Sequence, residues 1–166
     1  KPLLTGFVNA MEEELKGGTF NGTLLFSTGL GNVATSELCL ENPGHLIGSG
    51  LATGALMGRF LAEVGGFQDV VTYDMGGTSV DIGVLKGRTI ATTPEAIIGD
   101  QKNAIETMDI LSIGAGGGAI AWIDKLGVLR IGPSSAGAEP GPACYGKGGI
   151  EPTLTDANVL LGYIPP

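Results

Sequence analysis

The sequence predicts an α/β fold, in which a mixed sheet with a central β-hairpin is flanked by helices. Three observations support this class. Segments with helical spacing of apolar residues alternate with short β-rich runs, and two such runs flank a Gly-Gly turn in VVTYDMGGTSVDIGVL (70–85). Glycine makes up 30 of 166 residues, which is about 18% of the chain against an average of about 7% in proteins. It concentrates between these segments. A chain of this length can bury one core, so we expect 1–166 to form a single domain.

Four segments show the spacing and the end signals of helices. They cover 3–15, 34–41, 51–64 and 153–163. The last of these, TLTDANVLLGY, has Thr155 or Asp156 as its candidate N-cap. In the third, Gly54 and Gly58 are four residues apart and would let the helix lie close against a sheet. Its larger apolar residues trace one face, which is predicted to be the packed one: Leu51, Ala55, Leu56, Phe60, Leu61 and Val64.

The strands are predicted from β-rich apolar runs that end at glycine or at turn residues. They cover 23–28, 69–74, 80–85, 89–93, 109–113, 119–123 and 128–131. The second and third of these surround the glycine turn, so residues 69–92 are predicted to form a sheet built on a β-hairpin. Its first turn would be made by Gly76 and Gly77.

Composition and charge exclude several classes of protein. A net charge of −8 argues against a nucleic-acid partner, because a phosphate backbone is bound through Lys and Arg. No apolar run approaches the roughly 20 residues that cross a bilayer, and no basic start followed by an apolar run marks a secretion signal. Two cysteines are too few for a disulfide framework and favour a reducing compartment. We therefore expect a cytoplasmic protein without a membrane partner.

The glycine turn also carries the chemistry that stands out most in the chain. Its bare backbone would present the N–H groups of Gly76, Gly77 and Thr78 to an anion, as a phosphate cradle does. Asp74 lies beside it and is a candidate ligand for a hydrated Mg²⁺, which proteins hold through one or two carboxylates and phosphate oxygens. Asp81, on the returning strand, would orient the loop or a metal-bound water. The alternative interpretation is a plain hairpin with a capped turn.

Other glycine-rich and polar stretches are weaker candidates. IGAGGGAI (113–120) offers consecutive N–H groups, but a sharp crossing between packed strands would explain it equally well. GPSSAGAEPGPACYG is either a rigid structural loop or a segment that faces a cleft. Within it, Cys144 is interpreted as a buried small side chain and not as a nucleophile, since no histidine lies near it in sequence. The single histidine, His45, is interpreted as a loop residue with an ordinary hydrogen bond.

Several long stretches together resemble the hydantoinase A / 5-oxoprolinase family. YDMGGTSVDIGVL is similar to the family's second phosphate-loop motif, and GSGLATGALMGRFLAEVGGF (48–67) to its Ser-Gly-Pro loop and the helix that follows. SIGAGGGAIAWID and LRIGPSSAGAEPGPACYGKGGIEPTLTDANVLLG (129–162) resemble its most recognisable run. The resemblance covers essentially the whole chain, with the motifs in the family's order.

This resemblance implies an actin-like, ribonuclease-H-like ATPase fold whose two halves close on ATP and Mg²⁺. It implies ATP-dependent opening of cyclic amides such as 5-oxoproline and hydantoins, or carboxylation of ketones, through phosphoryl activation. It also makes a hydantoinase B-type subunit a candidate partner beside the small-molecule substrate. The implied catalytic residues are Asp74 and Asp81, with Asp74 as metal ligand. The implied cofactor-binding residues are Gly76, Gly77, Thr78, Ser79, Gly116, Gly117 and Gly118.

The chain resembles only the second half of such a protein. The first-half phosphate motif, Gly-Gly-Thr-Phe-Thr-Asp after a strand, does not occur in it. We therefore expect the missing first-half ATPase domain as its partner, and we expect the 166 residues alone to be inactive.

Four positions depart from the family pattern, which has Pro, Thr, His and Ser where this chain has Leu51, Val80, Leu111 and Ala119. Three of the departures are expected to remove a hydroxyl or an imidazole from the cleft. They leave the phosphate residues unchanged, so substrate handling is the function they put in question.

Three functions remain open from the sequence. The chain is part of an ATP-dependent cyclic amidohydrolase, or of a ketone carboxylase. The third is a non-catalytic domain that binds nucleotide or serves as a scaffold. The adenosine-loop signature of an actin-like sugar kinase is not evident.

Overall fold

The computed structural model describes residues 2–98 and 101–165. The α-helices are α1 Pro2–Gly17, α2 Ser36–Glu41, α3 Ser49–Gly65 and α4 Leu154–Leu160, with short 3₁₀ turns at Pro43–Leu46 and Ala143–Tyr145. The strands are β1 Leu25–Ser27, β2 Val33–Thr35, β3 Val70–Met75, β4 Val80–Lys86, β5 Thr89–Ile90, β6 Thr92–Thr93, β7 Ala96–Ile98, β8 Gln101–Asn103, β9 Thr107–Met108, β10 Ile110–Ile113, β11 Ala119–Ile123 and β12 Leu129–Ser135.

The chain divides into two compact units. Unit 1 comprises Lys1–Thr72 and Gly83–Ile110, and unit 2 comprises Tyr73–Ile82 and Leu111–Pro166. The single domain over 1–166 stays a prediction from the sequence, whereas the contacts within the chain define these two units.

The predicted hairpin sheet is confirmed. Strands β3 and β4 flank the glycine turn, and a sheet has the strand order β10-β4-β3. Strand β5 pairs antiparallel with β4, with Leu85 opposite Ile90. The other resolved pairs are also antiparallel: β1 with β2, β6 with β9, β7 with β8, and β11 with β12. The chain therefore has a mixed α/β fold with antiparallel sheets.

Helix α3 of unit 1 forms where it was predicted, and Gly58 gives the predicted close approach to the sheet, but the larger apolar residues of the predicted face do not form the packed side. Its buried residues are all small: Ala52, Ala55, Gly58 and Ala62. A Cβ at Gly58 would collide with the side chain of Thr72, so the helix lies against strand β3 at a distance that only glycine permits. The larger residues Phe60, Leu61 and Val64 are exposed, and Val64 is 72% exposed. The small residues occupy the packed face of the helix because they allow the closest approach to the sheet.

Smaller elements of unit 1 also differ from the sequence prediction. The segment predicted as a helix over 34–41 begins as strand β2, which pairs with β1 through Phe26 and Ala34, and becomes helical only from Ser36. The strand predicted over 89–93 is split into two, because β5 pairs with β4 whereas β6 pairs with β9. The short strands β7, β8 and β9 were not predicted. Their cross-strand partners, and not their own periodicity, define them.

In unit 2, strands β11 and β12 form a two-stranded ribbon that meets helix α4 at its start. Ile120 bridges to Thr153, the residue just before the helix, and Ala121 N–H donates to the carbonyl of Pro152 at 2.8 Å. Trp122 Nε1 donates to the carbonyl of Gly132 at 2.8 Å. The ribbon is thereby tied to the start of the last helix, and the Trp122 side chain ties its two strands to each other.

Candidate phosphate-binding site

The turn between β3 and β4, residues 76–79, is called the glycine loop here, and it belongs to unit 2. Gly76 N–H donates to the carbonyl of Ser79 at 2.9 Å, which closes the turn. Four residues farther from the turn on each strand, Thr72 Oγ1 accepts from Gly83 N–H at 3.1 Å, which places Thr72 beside Gly83. Between these two contacts an antiparallel hairpin places Asp74 opposite Asp81, with both side chains on one face.

The two carboxylates form an acidic pair without a counter-charge among the described residues. Neither Asp74 nor Asp81 takes part in an ion pair there. Asp74 is exposed, whereas Asp81 is half-buried and its Oδ1 atom is fully buried without a hydrogen-bond partner in the described ranges. Like charges directly opposite in a hairpin destabilise it, and an unpartnered buried polar atom does too. The arrangement favours a bound cation.

The carbonyl groups of the glycine loop are held by the triple glycine that precedes β11. Gly117 N–H donates to Gly76 O at 2.9 Å and Gly118 N–H donates to Gly77 O at 2.6 Å. Gly116 N–H donates to Thr78 O at 3.1 Å. Three consecutive carbonyl oxygens, which would repel an anion, are thereby bonded on the side of the triple glycine.

The N–H groups of the same loop remain available. Within residues 2–98 and 101–165, the N–H groups of Gly77, Thr78 and Ser79 make no hydrogen bond. Gly77 and Thr78 are exposed. Successive backbone N–H groups on a turn, with their carbonyls turned away, make the concave donor array that binds phosphate and similar anions.

A side chain is excluded from the glycine loop and from the triple glycine for different reasons. A Cβ at Gly77 would meet nothing within 4 Å, and at Gly76 only Ser79 O at 3.5 Å; neither residue has a positive φ. A Cβ at Gly116 would lie 2.5 Å from the backbone of Thr78, and one at Gly118 would lie 2.9 Å from Gly77 O. The triple glycine is therefore required by packing within the chain, whereas Gly76 and Gly77 keep open the space beside the free N–H groups.

The structure thus brings together all the sequence-predicted site residues, in unit 2, but it changes the part that some of them can take. Gly76 N–H closes the turn and does not face an incoming anion. The N–H groups of Gly116, Gly117 and Gly118 are already bonded to the glycine loop, which corrects the expectation that they are free donors. Sequence reasoning did not identify the link between the two loops, because a backbone contact leaves no side-chain pattern.

Helix α4 holds the triple glycine from the other side. Thr155 donates twice to Gly117 O, from its N–H and from its hydroxyl, each at 2.8 Å. The N-cap is Thr153 and neither Thr155 nor Asp156, so the predicted cap was wrong. Thr153 Oγ1 accepts from Asp156 N–H, and the Asp156 carboxylate accepts from Thr153 N–H at 2.8 Å. Asp156 is the partner in a capping box, a pattern that the sequence TLTD already contained.

Asp156 also fixes the proline-rich loop, through Cys144. Cys144 N–H donates to Asp156 Oδ1 at 2.7 Å. Burial alone would raise the pKa of Asp156, but the hydrogen bonds from Cys144 and Thr153 outweigh it and hold that pKa well below its usual value. The hydrogen bond to Asp156, and burial after it, raise the pKa of the Cys144 thiol. Cys144 is exposed and not buried as the sequence suggested, yet its protonated thiol is a poor nucleophile.

Replacing Asp156 by Asn is expected to destabilise the protein by about 1–2 kcal/mol at pH 7, because the helix loses the charged member of its capping box. The folded-state pKa of Asp156 is depressed, so this stabilisation is present above the unfolded-state value of about 3.9 and is lost as the pH falls below it. Urea unfolding of both proteins at pH 7 and pH 3 measures the difference. An equal gap at both pH values would contradict the charged role of Asp156.

Two of the four departures from the family pattern lie in the core. Val80 and Ala119 are fully buried, with 0% and 1% exposure. They do not line an open surface, which corrects the expectation that their missing hydroxyls come from a cleft. Leu111 is exposed, and Leu51 is half-buried on helix α3.

Several other features of the described chain lie apart from the glycine loop in sequence. No group of three His, Cys, Asp or Glu side chains suited to a metal occurs in the described ranges. Among the helices described there, none is long and apolar enough to cross a bilayer. A cleft of about 310 Å³ lies in unit 1 beside α1, where hydrogen bonds from Ser36 and Lys16 lower the pKa of Glu12. His45 is exposed in the first 3₁₀ turn.

Comparison with known proteins places the whole chain in one family. The model of the hydantoinase/oxoprolinase family matches residues 1–166. The alpha subunit of caprolactamase from Pseudomonas jessenii is 41% identical over 95% of this chain, and the gamma subunit of acetophenone carboxylase from Aromatoleum aromaticum is 36% identical over 96%. The chain spans 22% of the length of each of these relatives.

The fold is similar to that of a solved relative. The crystal structure of the ATP-dependent caprolactamase from Pseudomonas jessenii superimposes with a TM-score of 0.76 at 35% identity, over 99% of this chain and 24% of that one. The sequence resemblance to this family is thereby confirmed.

Proposed function

The chain belongs to the hydantoinase/oxoprolinase family, and we propose that it forms the second, actin-like half of the nucleotide site in a longer ATP-dependent enzyme that opens cyclic amides. Its relatives include a caprolactamase, which supports a cyclic amide as the substrate class. The proposal rests on one observation: the glycine loop has bonded carbonyls and free N–H groups, and it lies beside the Asp74–Asp81 pair.

In this proposal the N–H groups of Gly77 and Thr78 bind phosphate oxygens of ATP. The hydroxyls of Thr78 and Ser79 lie on the same loop and can donate to the same oxygens. Because the loop carbonyls are fixed, these donors need no rearrangement when the nucleotide arrives, which is the preorganisation that favours developing charge in phosphoryl transfer.

The residues present fit Mg²⁺. Asp74 and Asp81 offer hard oxygen ligands on one face, Asp81 Oδ1 has no partner among the described residues, and two carboxylates are the usual protein contribution to a Mg²⁺–phosphate site. Asp74 would ligate the ion, directly or through water, and Asp81 would orient a water bound to it. When bound, Mg²⁺ and ATP would supply an electrophilic phosphoryl group for the amide oxygen, which would activate the carbonyl carbon toward water so that the ring nitrogen can leave.

The proposed protein is longer than this chain. The relatives are four to five times its length, and helix α3 exposes a face of large apolar residues that soluble domains normally cover. We propose that a first-half ATPase domain completes the nucleotide clamp and that a hydantoinase B-type subunit is a further partner. The names of the two relatives, an alpha subunit and a gamma subunit, support an enzyme of several subunits. Two free cysteines support a cytoplasmic location.

Carboxylation is the second candidate reaction, since the acetophenone carboxylase subunit is 36% identical to this chain.

The test that distinguishes the candidate functions is a panel assay with the full-length parent protein and its partner subunit. ATP turnover that depends on hydantoin, 5-oxoproline or caprolactam supports the amidohydrolase. Turnover that needs both a ketone and bicarbonate supports the carboxylase. ATP binding without either activity would support the alternative of a non-catalytic domain that binds nucleotide.

The 166-residue chain by itself is expected to hydrolyse no ATP above background, because half of a nucleotide clamp cannot enclose the substrate. The measurement is phosphate release by the purified chain, with the parent protein as positive control. Turnover by the chain that Asp74→Ala abolishes would contradict the need for a first half.

A further inference from the structure

We infer that the Thr155 hydroxyl is a positioning group for the phosphate loop, acting through Gly117 on a nucleotide that it does not touch. The inference rests on the proposed nucleotide site. Thr155 and the glycine loop are separated by one peptide unit, the one between Gly117 and Gly118: the Thr155 hydroxyl donates to its oxygen, Gly117 O, at 2.8 Å, and its N–H group, that of Gly118, donates to Gly77 O at 2.6 Å.

The triple glycine has three anchors behind it, one for each carbonyl. Gly116 O accepts from Ala119 N–H at 2.9 Å, and Gly118 O accepts from Ala136 N–H at 2.9 Å. Gly117 O is the only one of the three that receives a side-chain hydrogen bond in the described residues, and it also accepts from Thr155 N–H. A side chain therefore controls the middle of the triple glycine, at the point where it bonds the turn of the glycine loop.

The contact is close and specific to a small hydroxyl side chain. A Cβ added to Gly117 would lie 2.7 Å from Thr155 Oγ1, so the two residues leave no space between them. Thr155 is half-buried, and its helix is fixed independently by the capping box of Thr153 and Asp156. Loss of the hydroxyl should therefore leave the helix in place and loosen the Gly117–Gly118 peptide alone.

A loosened Gly117–Gly118 peptide weakens the restraint on Gly77 O, which accepts from Gly118 N–H. If that carbonyl turns toward the nucleotide side, its oxygen repels phosphate and the adjacent N–H group of Thr78 turns away with it, since the two belong to one planar peptide. Thr155 is in this sense a positioning residue. It keeps the loop in the conformation in which the N–H groups face the anion.

The test compares three variants of Thr155 in the full-length parent protein, with Mg²⁺-ATP as the titrated ligand. Thr155→Val keeps the shape and removes the hydroxyl, and we expect the Kd for ATP to rise about five- to tenfold, which corresponds to one lost hydrogen bond. The KM for ATP should rise with it, and kcat should change less. Thr155→Ser keeps the hydroxyl and should bind as the wild type does.

A matched control separates this effect from loss of stability. Thr53→Val removes a hydroxyl that donates to a carbonyl at the same 2.8 Å, on helix α3 of unit 1, and should leave the Kd unchanged. Should Thr155→Val fail to fold, Thr155→Ala removes the same hydroxyl without adding apolar volume, and the same loss of affinity is expected.

The outcomes distinguish this inference from the function on which it rests. Wild-type binding with an unchanged Kd in Thr155→Val would overturn the positioning role alone. An equal loss in Thr155→Ser and Thr155→Val would overturn it too, because the methyl group and not the hydroxyl would then matter. A wild-type parent protein that binds no nucleotide would overturn both the inference and the proposed function.

Discussion

Asp74→Asn in the full-length parent protein is expected to lower kcat for ATP hydrolysis by about 10²–10⁴, while the melting temperature changes little. Asparagine keeps the shape of the side chain but removes the charge that would hold Mg²⁺ against the phosphates during phosphoryl transfer. Stability should be spared because Asp74 is exposed and makes no ion pair among the described residues. Removing one of two opposed carboxylates should even relieve repulsion in the hairpin.

The measurement is steady-state ATPase kinetics beside a thermal melt for each protein. Asp109→Asn is the matched control: it makes the same chemical change at an exposed aspartate of unit 1, and its activity should equal that of the wild type. A folded Asp74→Asn protein with near wild-type kcat would mean that the glycine loop is only a turn.

The second large effect is a contrast between two alanine substitutions. Gly116→Ala is expected to destabilise unit 2 by about 2–3 kcal/mol, because its Cβ would lie 2.5–2.7 Å from the backbone of Thr78, Ser79 and Gly76. Gly77→Ala adds the same methyl group where nothing lies within 4 Å. It should fold as the wild type does and lose about tenfold or more in ATP affinity, since the methyl group occupies the space proposed for phosphate.

Urea unfolding and ATP titration of both variants measure the contrast, and each variant is the control for the other. Neither glycine has a positive φ, so backbone strain does not separate them. Unchanged ATP affinity in a folded Gly77→Ala protein would show that no ligand needs the open space, and a fully stable Gly116→Ala protein would show that the two loops are not held together as described.

Periodicity and end signals were sufficient to predict the long elements. Helices α1 and α3 and the β3–β4 hairpin form where the sequence predicted them, because each carries its own spacing of apolar residues and a glycine end signal. The packed face of α3 was predicted correctly only for Ala55 and for the close approach at Gly58. Hydrophobic spacing identifies the large residues, whereas Gly58 shows that close approach to Thr72 decides which side faces the sheet.

The residues of the candidate site likewise include some that the sequence identified and some that it did not. Asp74, Asp81 and the glycine loop were identified because their residue types carry chemistry of their own. The roles of Gly116–Gly118 and of Thr155 could not be read from the sequence, since they depend on hydrogen bonds between backbones far apart in the chain, such as Gly117 with Gly76 and Thr155 with Gly117. Thr153 and Asp156 were within reach, because their three-residue spacing is the signature of a capping box.

The most direct test of the proposed nucleotide site is a crystal structure of the parent protein with Mg²⁺ and a non-hydrolysable ATP analogue. The quantities to measure are the distances from the phosphate oxygens to the nitrogen atoms of Gly77 and Thr78. We expect both distances to be about 3 Å, with the carbonyls of Gly76 and Gly77 still bonded to the triple glycine and the cation beside Asp74 and Asp81. A nucleotide whose phosphates are bound elsewhere, with these two N–H groups facing only water, would contradict the proposed site.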